Sequence, residues 1–388
     1  MVGSIVQVMA IDESADRERL TILTTAALRA AVSWTRRIEE PQAWRELSRM
    51  TGVVMYVLGP GHDSISPIQL VERLHRPLRE LSTGFGDSPW LGEITLLDRN
   101  DQLTDAAVEV AFEYTQALFG ETDSARRWLP TWTWQRAEQI ERQVFDGLLR
   151  TASNEGYSTS RRFLIEHPAG SARELTEQMN SSGISRVARY VPIPAERVSR
   201  SAGGEWWWWP CPTCRWPMRV RSETVECGYS HHQARFRLDQ TADRRRGEPG
   251  LVKMSTARLR VPEGRPAEGA QCLELAVWRF VTVPGIPELD LERRLSLIDG
   301  TTTQMWPDKD RVDLLIRSRS GQQWEVDVKD HSDPMTVILD APSAKHIVVP
   351  GYRRNQIRTL ERALPDKRIW TIDGFVRDVR CRALDGAS

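Results

Sequence analysis

Three of the five cysteines in this 388-residue chain lie close together, and a pair of histidines follows them. Cys211 and Cys214 form a Cys-x2-Cys pair, Cys227 follows after twelve intervening residues, and His231 and His232 lie four and five positions beyond it. A Cys-x2-Cys turn holds two thiolates at the separation that tetrahedral Zn²⁺ requires, and a second turn across a hairpin supplies two more ligands. The clustering of so few cysteines therefore indicates a metal site in a reducing cytoplasm and not a disulfide framework.

This spacing predicts a zinc-ribbon-like module at 205–237, in which the three clustered cysteines are ligands. We favour His231 as the fourth ligand, with His232 as the alternative. Four nitrogen and sulfur ligands leave no open coordination position, so the site would be structural and not catalytic. Because so small a module has no large core, zinc would contribute directly to its folding.

A second pattern, nearer the end of the chain, predicts a β-hairpin that carries acidic residues. Residues 312–317 and 324–329 have the composition of strands, and Ser320-Gly321 between them is a turn signal. Side chains alternate along a strand, which puts Glu325, Asp327 and Lys329 on one face. Asp and Lys are seldom buried unless they are paired or bound to a metal, so this face needs a chemical explanation.

The register of that hairpin brings Asp313 within one residue of a position opposite Asp327. Two carboxylates that converge in this way can bind one hard cation, and Mg²⁺ takes a few carboxylates together with water and phosphate oxygens. Lys329, on the same face, can orient or help to deprotonate a water molecule. The pattern predicts Asp313, Asp327 and Lys329 as catalytic residues for phosphodiester hydrolysis, with Asp313 and Asp327 as the Mg²⁺ ligands. We assign Asp308 and Asp310 to the ordering of the preceding loop.

Asp313 followed by Asp327-Val328-Lys329 resembles the pattern of the PD-(D/E)xK nucleases. The resemblance implies a restriction-endonuclease-like α/β domain, here at 256–388, with an α-β-β-β-α-β core. Our elements for it are a helix at 284–298, strands at 312–317, 324–329 and 345–350, a helix at 352–364 and a strand at 368–373. Many members of this superfamily carry a helix glutamate that aids metal binding, and Glu288 is the candidate, which adds it to the catalytic residues.

A longer set of segments resembles something narrower. These segments are similar to the nuclease-like protein encoded beside prokaryotic Piwi-related proteins, in the pPIWI-RE defence systems; they are CPTCRWPM, VTVPGIPEL, WPDKDRVDLLI and WEVDVKD. This resemblance implies defence against invading DNA, with DNA, a Piwi-like protein and a helicase as partners. The oligomeric state, including a homodimer, stays open.

The first half of the chain is predicted to be a mainly helical docking domain at 1–195. Helices are expected at 19–39, at 104–119 with Thr104 as the N-cap, and at 136–150. Further helices are expected near 158–168 and 171–179. The predicted fold class is therefore a multidomain α plus α/β protein: helical domain, zinc-ribbon-like insert and C-terminal α/β domain.

Composition leaves two functions open for these features. Lys and Arg balance Asp and Glu at 53 each, so the net charge gives no support to nucleic-acid binding. The sequence has no apolar stretch of about 18 residues, so no membrane span is expected. The N-terminus lacks the basic region of a secretory signal, so we expect a cytoplasmic protein without membrane contact. We expect an active endonuclease, and the alternative is a catalytically silent adaptor.

The four tryptophans before the first cysteine, Trp206 to Trp209, also have two interpretations. They could stack on bases or pack the ribbon, and we favour packing.

Overall fold

The computed structural model of the chain divides into two compact units, Met1–Thr131 and Trp132–Ser388. The residues that it describes are 2–38, 40–59, 62–82, 89–104, 106–111, 144, 147–148, 153–184, 188–239, 249–340 and 342–385. Helices in the first half and a mixed sheet in the second confirm the mixed α and β class. Most of the helix predicted at 136–150 lies outside the described residues.

The described parts of the first unit contain helices, turns and two isolated β-bridges. Its helices are α1 Val2–Thr35, α2 Ala43–Leu58, α3 Pro67–Leu74 and α4 Pro89–Gly92, with a 3-10 turn at Leu78–Glu80 and helical residues at 106–111. Small side chains of α1, including Ala27 and Ala30, let α2 approach closely and bury Leu47 and Met50. The Thr104 hydroxyl accepts a hydrogen bond from the Ala107 N–H at 3.0 Å, which confirms the predicted N-cap.

The second unit contains further helices, besides a distorted turn at Pro307–Asp310. They are α5 Asn154–Glu166, α6 Ala172–Ser181, α7 Leu275–Val277, α8 Val283–Leu295, α9 Pro334–Asp340, α10 Ile357–Ala363 and α11 Ile372–Asp385. A π-helical turn, Trp278–Thr282, joins α7 to α8. Short 3-10 turns lie at Ala195–Arg197, Ser230–His232 and Gly351–Gln356.

Three small sheets precede the main one. The strands are β1 Ala169–Ser171, β2 Tyr190–Pro192, β3 Ser199–Arg200, β4 Trp206–Trp208, β5 Arg219–Arg221, β6 Thr224–Glu226, β7 Arg235–Asp239, β8 Gly250–Lys253, β9 Arg265–Pro266 and β10 Ala270–Leu273. They form antiparallel sheets in the orders β1-β10-β2, β3-β4-β9 and β5-β6-β7-β8. The segment 239–269, which lacks a strand pattern in the sequence, thus contributes β8 and β9.

The main sheet has five strands in chain order: β11 Thr301–Met305, β12 Leu314–Ser318, β13 Gln323–Val328, β14 His346–Val349 and β15 Arg368–Thr371. The first three pair antiparallel, whereas β13, β14 and β15 pair parallel. Parallel neighbours need crossover connections, which α9 and α10 supply. Helices α8 and α11 pack together, and α9 and α10 also contact each other.

The order α8-β11-β12-β13-α9-β14 matches the predicted α-β-β-β-α-β order. However, some of the strands and helices in it are not those that the sequence predicted. The strand predicted third, at 345–350, is the fourth, because the sequence prediction missed β11. Residues 301–304 of β11, TTTQ, are polar and partly exposed, so no apolar run marks this edge strand. Helices α9 and α11 were also missed.

The buried residues of the second unit do not separate into the predicted modules. Cys211, Cys227 and Trp216 belong to the same hydrophobic core as Val326 of β13 and Phe375 of α11. Helices α5 and α6, which the sequence places in the N-terminal domain, lie in this second unit. The domain limits 1–195, 205–237 and 256–388 stay a prediction.

Close contact between α5 and α8 depends on Gly285. A Cβ atom added there would lie 2.3 Å from Cδ1 and 2.5 Å from Cγ1 of the buried Ile165. We therefore expect Gly285→Ala to lower the free energy of unfolding by about 1–3 kcal/mol, because the added methyl overpacks the core. Chemical denaturation measures this change. Gly351→Ala is the matched control, since nothing lies within 4 Å of a Cβ there.

A double variant makes the test specific. Adding Ile165→Ala removes the atoms that the new methyl meets, so the double variant should lose less stability than the sum of the single losses. Equal stability of Gly285→Ala and Gly351→Ala would contradict the overpacking argument.

Candidate metal centre and candidate active site

Cys211, Cys214, Cys227 and His232 form a buried group whose ligand atoms all lie within 4.8 Å of one another. The Sγ atoms of Cys214 and Cys227 are 3.8 Å apart, and Nδ1 of His232 lies 3.3 Å and 3.7 Å from Sγ of Cys227 and Cys211. A tetrahedral Zn²⁺ with ordinary bond lengths separates its ligand atoms by roughly 3.5–3.8 Å. The donor set and its spacing therefore fit a structural zinc ion.

Two tight turns bring these side chains together. In the first, the Thr213 N–H donates to Sγ of Cys211, and in the second the Tyr229 N–H donates to Sγ of Cys227, both at 3.4 Å. Such backbone N–H groups stabilise thiolate charge. Arg215 and Gln233 adopt left-handed backbone conformations, with φ of 58° and 51°, that reverse the chain at the turns.

The structure brings His232 into the group with the three cysteines, and not His231, which the sequence analysis favoured as the fourth ligand. The 3-10 turn Ser230–His232, followed by the left-handed Gln233, directs the His232 ring at the thiols. The His231 ring instead stacks on Tyr352, with centroids 4.5 Å apart. Adjacent side chains on a 3-10 turn point about 120° apart, so only one of the two histidines can face the cysteines.

Burial and hydrogen bonds together set the pKa values of the cysteines in this group. Burial raises the pKa of the Cys214 and Cys227 thiols well above the ordinary value. Burial also opposes ionisation of Cys211, but hydrogen bonds with Cys214, Cys227 and His232 together bring the pKa of that thiol below its usual range. Because metal ligands must be deprotonated, zinc binding here would displace protons from the thiols.

The tryptophans before the first turn mostly pack against the protein. Trp207, Trp208 and Trp209 are buried, whereas Trp206 is 53% exposed. Trp216, inside the zinc segment, stacks on Trp278 with a centroid distance of 4.3 Å. The favoured packing interpretation therefore holds for three of the four tryptophans.

The predicted acidic hairpin forms. The prediction allowed an offset of one residue between Asp313 and Asp327, and the observed offset is zero. Leu314 pairs with Val326, so continuing the antiparallel register puts Asp313 opposite Asp327. The Asp313 carboxylate Oδ2 accepts a hydrogen bond from the Val328 N–H at 2.7 Å. Both aspartates are buried. The hairpin thus carries two carboxylates to the end of β13, where they lie close together.

Lys329 follows directly on β13, and its N–H donates to the Val348 carbonyl at 2.9 Å. Burial opposes the charge of its ammonium, but the carboxylates of Asp313 and Asp327 raise the pKa of Lys329 above the ordinary value. Lys329 is therefore a cation beside the acidic pair. Burial raises the pKa of Asp313 to about 6, although the charge of Lys329 lowers it.

Glu288 lies on α8, and its carboxylate is held by an ion pair. Nη2 of Arg161 donates to Oε1 at 3.0 Å and Oε2 at 3.1 Å, and Nε1 of Trp306 donates to Oε2 at 2.6 Å. Burial raises the pKa of the Glu288 carboxyl, and the Arg161 guanidinium works against that rise. Arg161, on α5, is 127 residues away in sequence, and no local pattern indicates it.

The turn before Asp313 has an unusual backbone. Trp306, Asp308, Lys309 and Asp310 all have positive φ values, from 47° to 81°. Each non-glycine residue in such a conformation costs on the order of 1 kcal/mol or more, so contacts must hold the turn. Asp310 pairs with Arg161, and the Lys309 N–H donates to Oδ1 of Asn154 at 2.7 Å. The pairing of Asp310 confirms that this acidic residue helps to order the loop.

Two parts of the chain match known protein families. Residues 19–171 match the model described as pPIWI_RE three-gene island domain Y. Residues 285–387 match the model described as REase associating with pPIWI_RE. No curated protein and no solved structure shows a significant match to the chain.

These two matches agree with the resemblance that the sequence motifs carry. The second match covers Glu288, Asp313, Asp327 and Lys329, whereas the zinc ligands lie between the two matched segments. Arg161 lies in the segment that matches domain Y. Within the described part of the chain, no helix is long and apolar enough to cross a membrane.

Proposed function

We propose that the chain is a divalent-metal-dependent DNA endonuclease that acts in defence against foreign DNA, together with a Piwi-like protein and a helicase. The observation that carries the proposal is the position of Asp313 opposite Asp327, with Lys329 two residues after Asp327, directly beyond the end of β13. The match of residues 285–387 to an REase that associates with pPIWI_RE supports a nuclease role in such an island. The α-β-β-β-α-β order around the hairpin supports a restriction-endonuclease-like fold.

In this proposal Asp313 and Asp327 hold the metal. Two buried carboxylates beside each other fit a hard cation, because they would repel each other without one. Bound there, Mg²⁺ would polarise the phosphodiester and lower the pKa of a water molecule. Lys329 would orient the water or help to deprotonate it, and would offset charge on the phosphate.

Glu288 remains a candidate for a third acidic contribution. Both of its carboxylate oxygens already accept hydrogen bonds from Arg161. Its ion pair with Arg161 favours the negative charge, and that charge also raises the pKa of Lys329. We therefore propose that Glu288 acts by its charge, and that Arg161 holds it in place.

The second candidate function is a catalytically silent adaptor of the same complex. The ion pair of Glu288 with Arg161 favours it, because a metal bound to Glu288 would lie beside the positive charge of the Arg161 guanidinium. The balanced charge of the chain also gives no general attraction to DNA.

Incubation of the purified full chain with plasmid DNA and Mg²⁺ or Mn²⁺ separates the two functions. Cleavage that needs the divalent ion supports the nuclease. A nuclease used in defence has to be restrained, so we expect weak cutting by the chain alone and faster cutting with its partners. Absence of cleavage with the Piwi-like protein and helicase present would favour the adaptor.

Metal binding at the acidic pair should depend on pH. The pKa of Asp313 is about 6, so a proton competes with the metal below that pH and not above it. We expect the Mn²⁺ affinity to fall by about tenfold per pH unit below pH 6 and to level off above it. Titration calorimetry of zinc-loaded protein measures the affinity. An affinity that is flat between pH 5 and pH 7 would contradict the assignment of Asp313.

In the metal-free chain, the raised pKa of Asp313 makes the folded state more stable at low pH, whereas metal binding is stronger at high pH. The folded state holds the Asp313 proton more tightly than the unfolded state does. This contribution to stability is therefore fully present below the unfolded pKa of about 4 and is lost as the pH rises through about 6. Adding Mn²⁺ above pH 6 should restore stability.

A further inference from the structure

Asp330 lies where the chain leaves β13, immediately after Lys329. Its side chain is almost fully buried, and it has no part in the acidic pair. A buried carboxylate is costly unless it is paired and hydrogen-bonded, so its partners identify what holds this point of the chain.

Three side chains bind the Asp330 carboxylate. The hydroxyls of Tyr229 and Tyr352 each donate to Oδ2 at 2.7 Å, and Nε of Arg353 donates to Oδ1 at 3.0 Å. Nη2 of Arg353 also donates to the Tyr229 hydroxyl at 3.0 Å, which closes the network. Although burial opposes it, the Arg353 charge and the two hydroxyls keep the pKa of Asp330 below its ordinary value.

Tyr229 connects this network to the metal centre. It lies in the second zinc turn, between the ligands Cys227 and His232, and its N–H donates to Sγ of Cys227 at 3.4 Å. Its ring packs edge-on against the His232 ring, with centroids 4.9 Å apart. The hydroxyl at the other end of the same ring reaches Asp330. A single side chain therefore spans from the zinc ligands to the residue after Lys329.

The backbone around Asp330 is held as well. Nε2 of Gln356 donates to the carbonyls of His331 and Ser332, at 2.9 Å and 2.8 Å. On the other side, the Lys329 N–H is bound to Val348. The chain is thus fixed on both sides of the Lys329 side chain.

We infer that Asp330 is a positioning residue for Lys329, and that the zinc turn holds it through the Tyr229 hydroxyl. This inference rests on the proposed function, since it assigns the ribbon a role in the orientation of a catalytic ammonium. A small displacement of a catalytic group lowers the rate far more than it lowers substrate affinity. The zinc turn then acts on the rate of cleavage through Asp330.

Tyr229→Phe tests the inference, because it removes one hydroxyl and leaves the ring in place. Tyr190→Phe is the matched control: its hydroxyl also donates a 2.7 Å hydrogen bond, to the His167 carbonyl, in the same unit. We expect Tyr229→Phe to lower kcat for plasmid cleavage by about tenfold to a hundredfold, with KM unchanged. Zinc content and Tm should match those of Tyr190→Phe. A kcat equal to that of the control would overturn the inference.

A second variant and a second measurement keep the inference separate from the proposed function. Hydrogen exchange of the peptide 323–333 needs no catalysis, and it should be faster in Tyr229→Phe and in Asp330→Asn than in Tyr190→Phe. If the wild type does not cut DNA under any condition, the proposed function fails, and exchange still decides whether Tyr229 holds this segment. Equal exchange in all three variants overturns the inference even if the wild type is an active nuclease.

Discussion

Asp327→Asn should lower metal-dependent DNA cleavage by about a thousandfold or more. The substitution keeps the volume of the side chain but removes one of the two negative charges that are proposed to hold the metal. Loss of several kcal/mol of metal-dependent stabilisation of the transition state corresponds to a rate loss of this order. The measurement is the initial rate of plasmid linearisation at saturating Mg²⁺, with the partners present if they stimulate the wild type.

The same strand provides a matched control. Glu325 lies two residues before Asp327 on the same face, but it is half exposed and paired with Nη2 of Arg311 at 2.8 Å. Glu325→Gln makes the same change of carboxylate to amide, and we expect it to leave the rate within about twofold, since surface ion pairs contribute little. Comparable rates for the two variants would remove the acidic pair from the mechanism.

Loss of zinc should destabilise the whole second unit and not the ribbon alone. Cys214→Ser removes a ligand from a site whose sulfur atoms lie in the same core as β13 and α11. Binding of structural zinc is itself folding free energy, so we expect Tm to fall by more than about 10 °C and bound zinc to drop well below one per chain. Metal analysis and thermal unfolding measure the two effects.

Cys272→Ser separates zinc loss from the cost of the substitution itself. Cys272 is also buried in this core, but it is outside the group of four ligands. It should keep its zinc and lose much less stability, by about 1–3 kcal/mol for a buried hydroxyl. A Cys214→Ser protein with full zinc content, or one no less stable than Cys272→Ser, would contradict the assignment of the metal centre.

Local patterns made most of the acidic hairpin predictable. The two strands are joined by a short turn, so alternation along one strand and the length of the turn fix which side chains meet, and Asp313 and Asp327 follow from both. For the same reason, the spacing of the cysteines predicted that Cys211, Cys214 and Cys227 come together in one group that could hold a metal. The matches to the two pPIWI_RE families confirm the resemblance of the longer motifs.

Features that depend on distant residues or on backbone conformation were not predictable. The choice of His232 over His231 follows from a left-handed residue, Gln233, which sequence periodicity does not reveal. The pairing of Arg161 with Glu288 joins positions 127 residues apart. Strand β11 was missed because hydrogen bonds to β12, and not apolar alternation, define it.

The mixed direction of the main sheet has a consequence for the newly synthesised chain. Asp313 and Val328 are only 15 residues apart, so the hairpin can close as soon as it leaves the ribosome, whereas β14 and β15 join by crossovers that close later. During that interval the apolar strand β13 presents an unpaired edge. Such an edge pairs readily with other chains, so aggregation during synthesis should start at this strand.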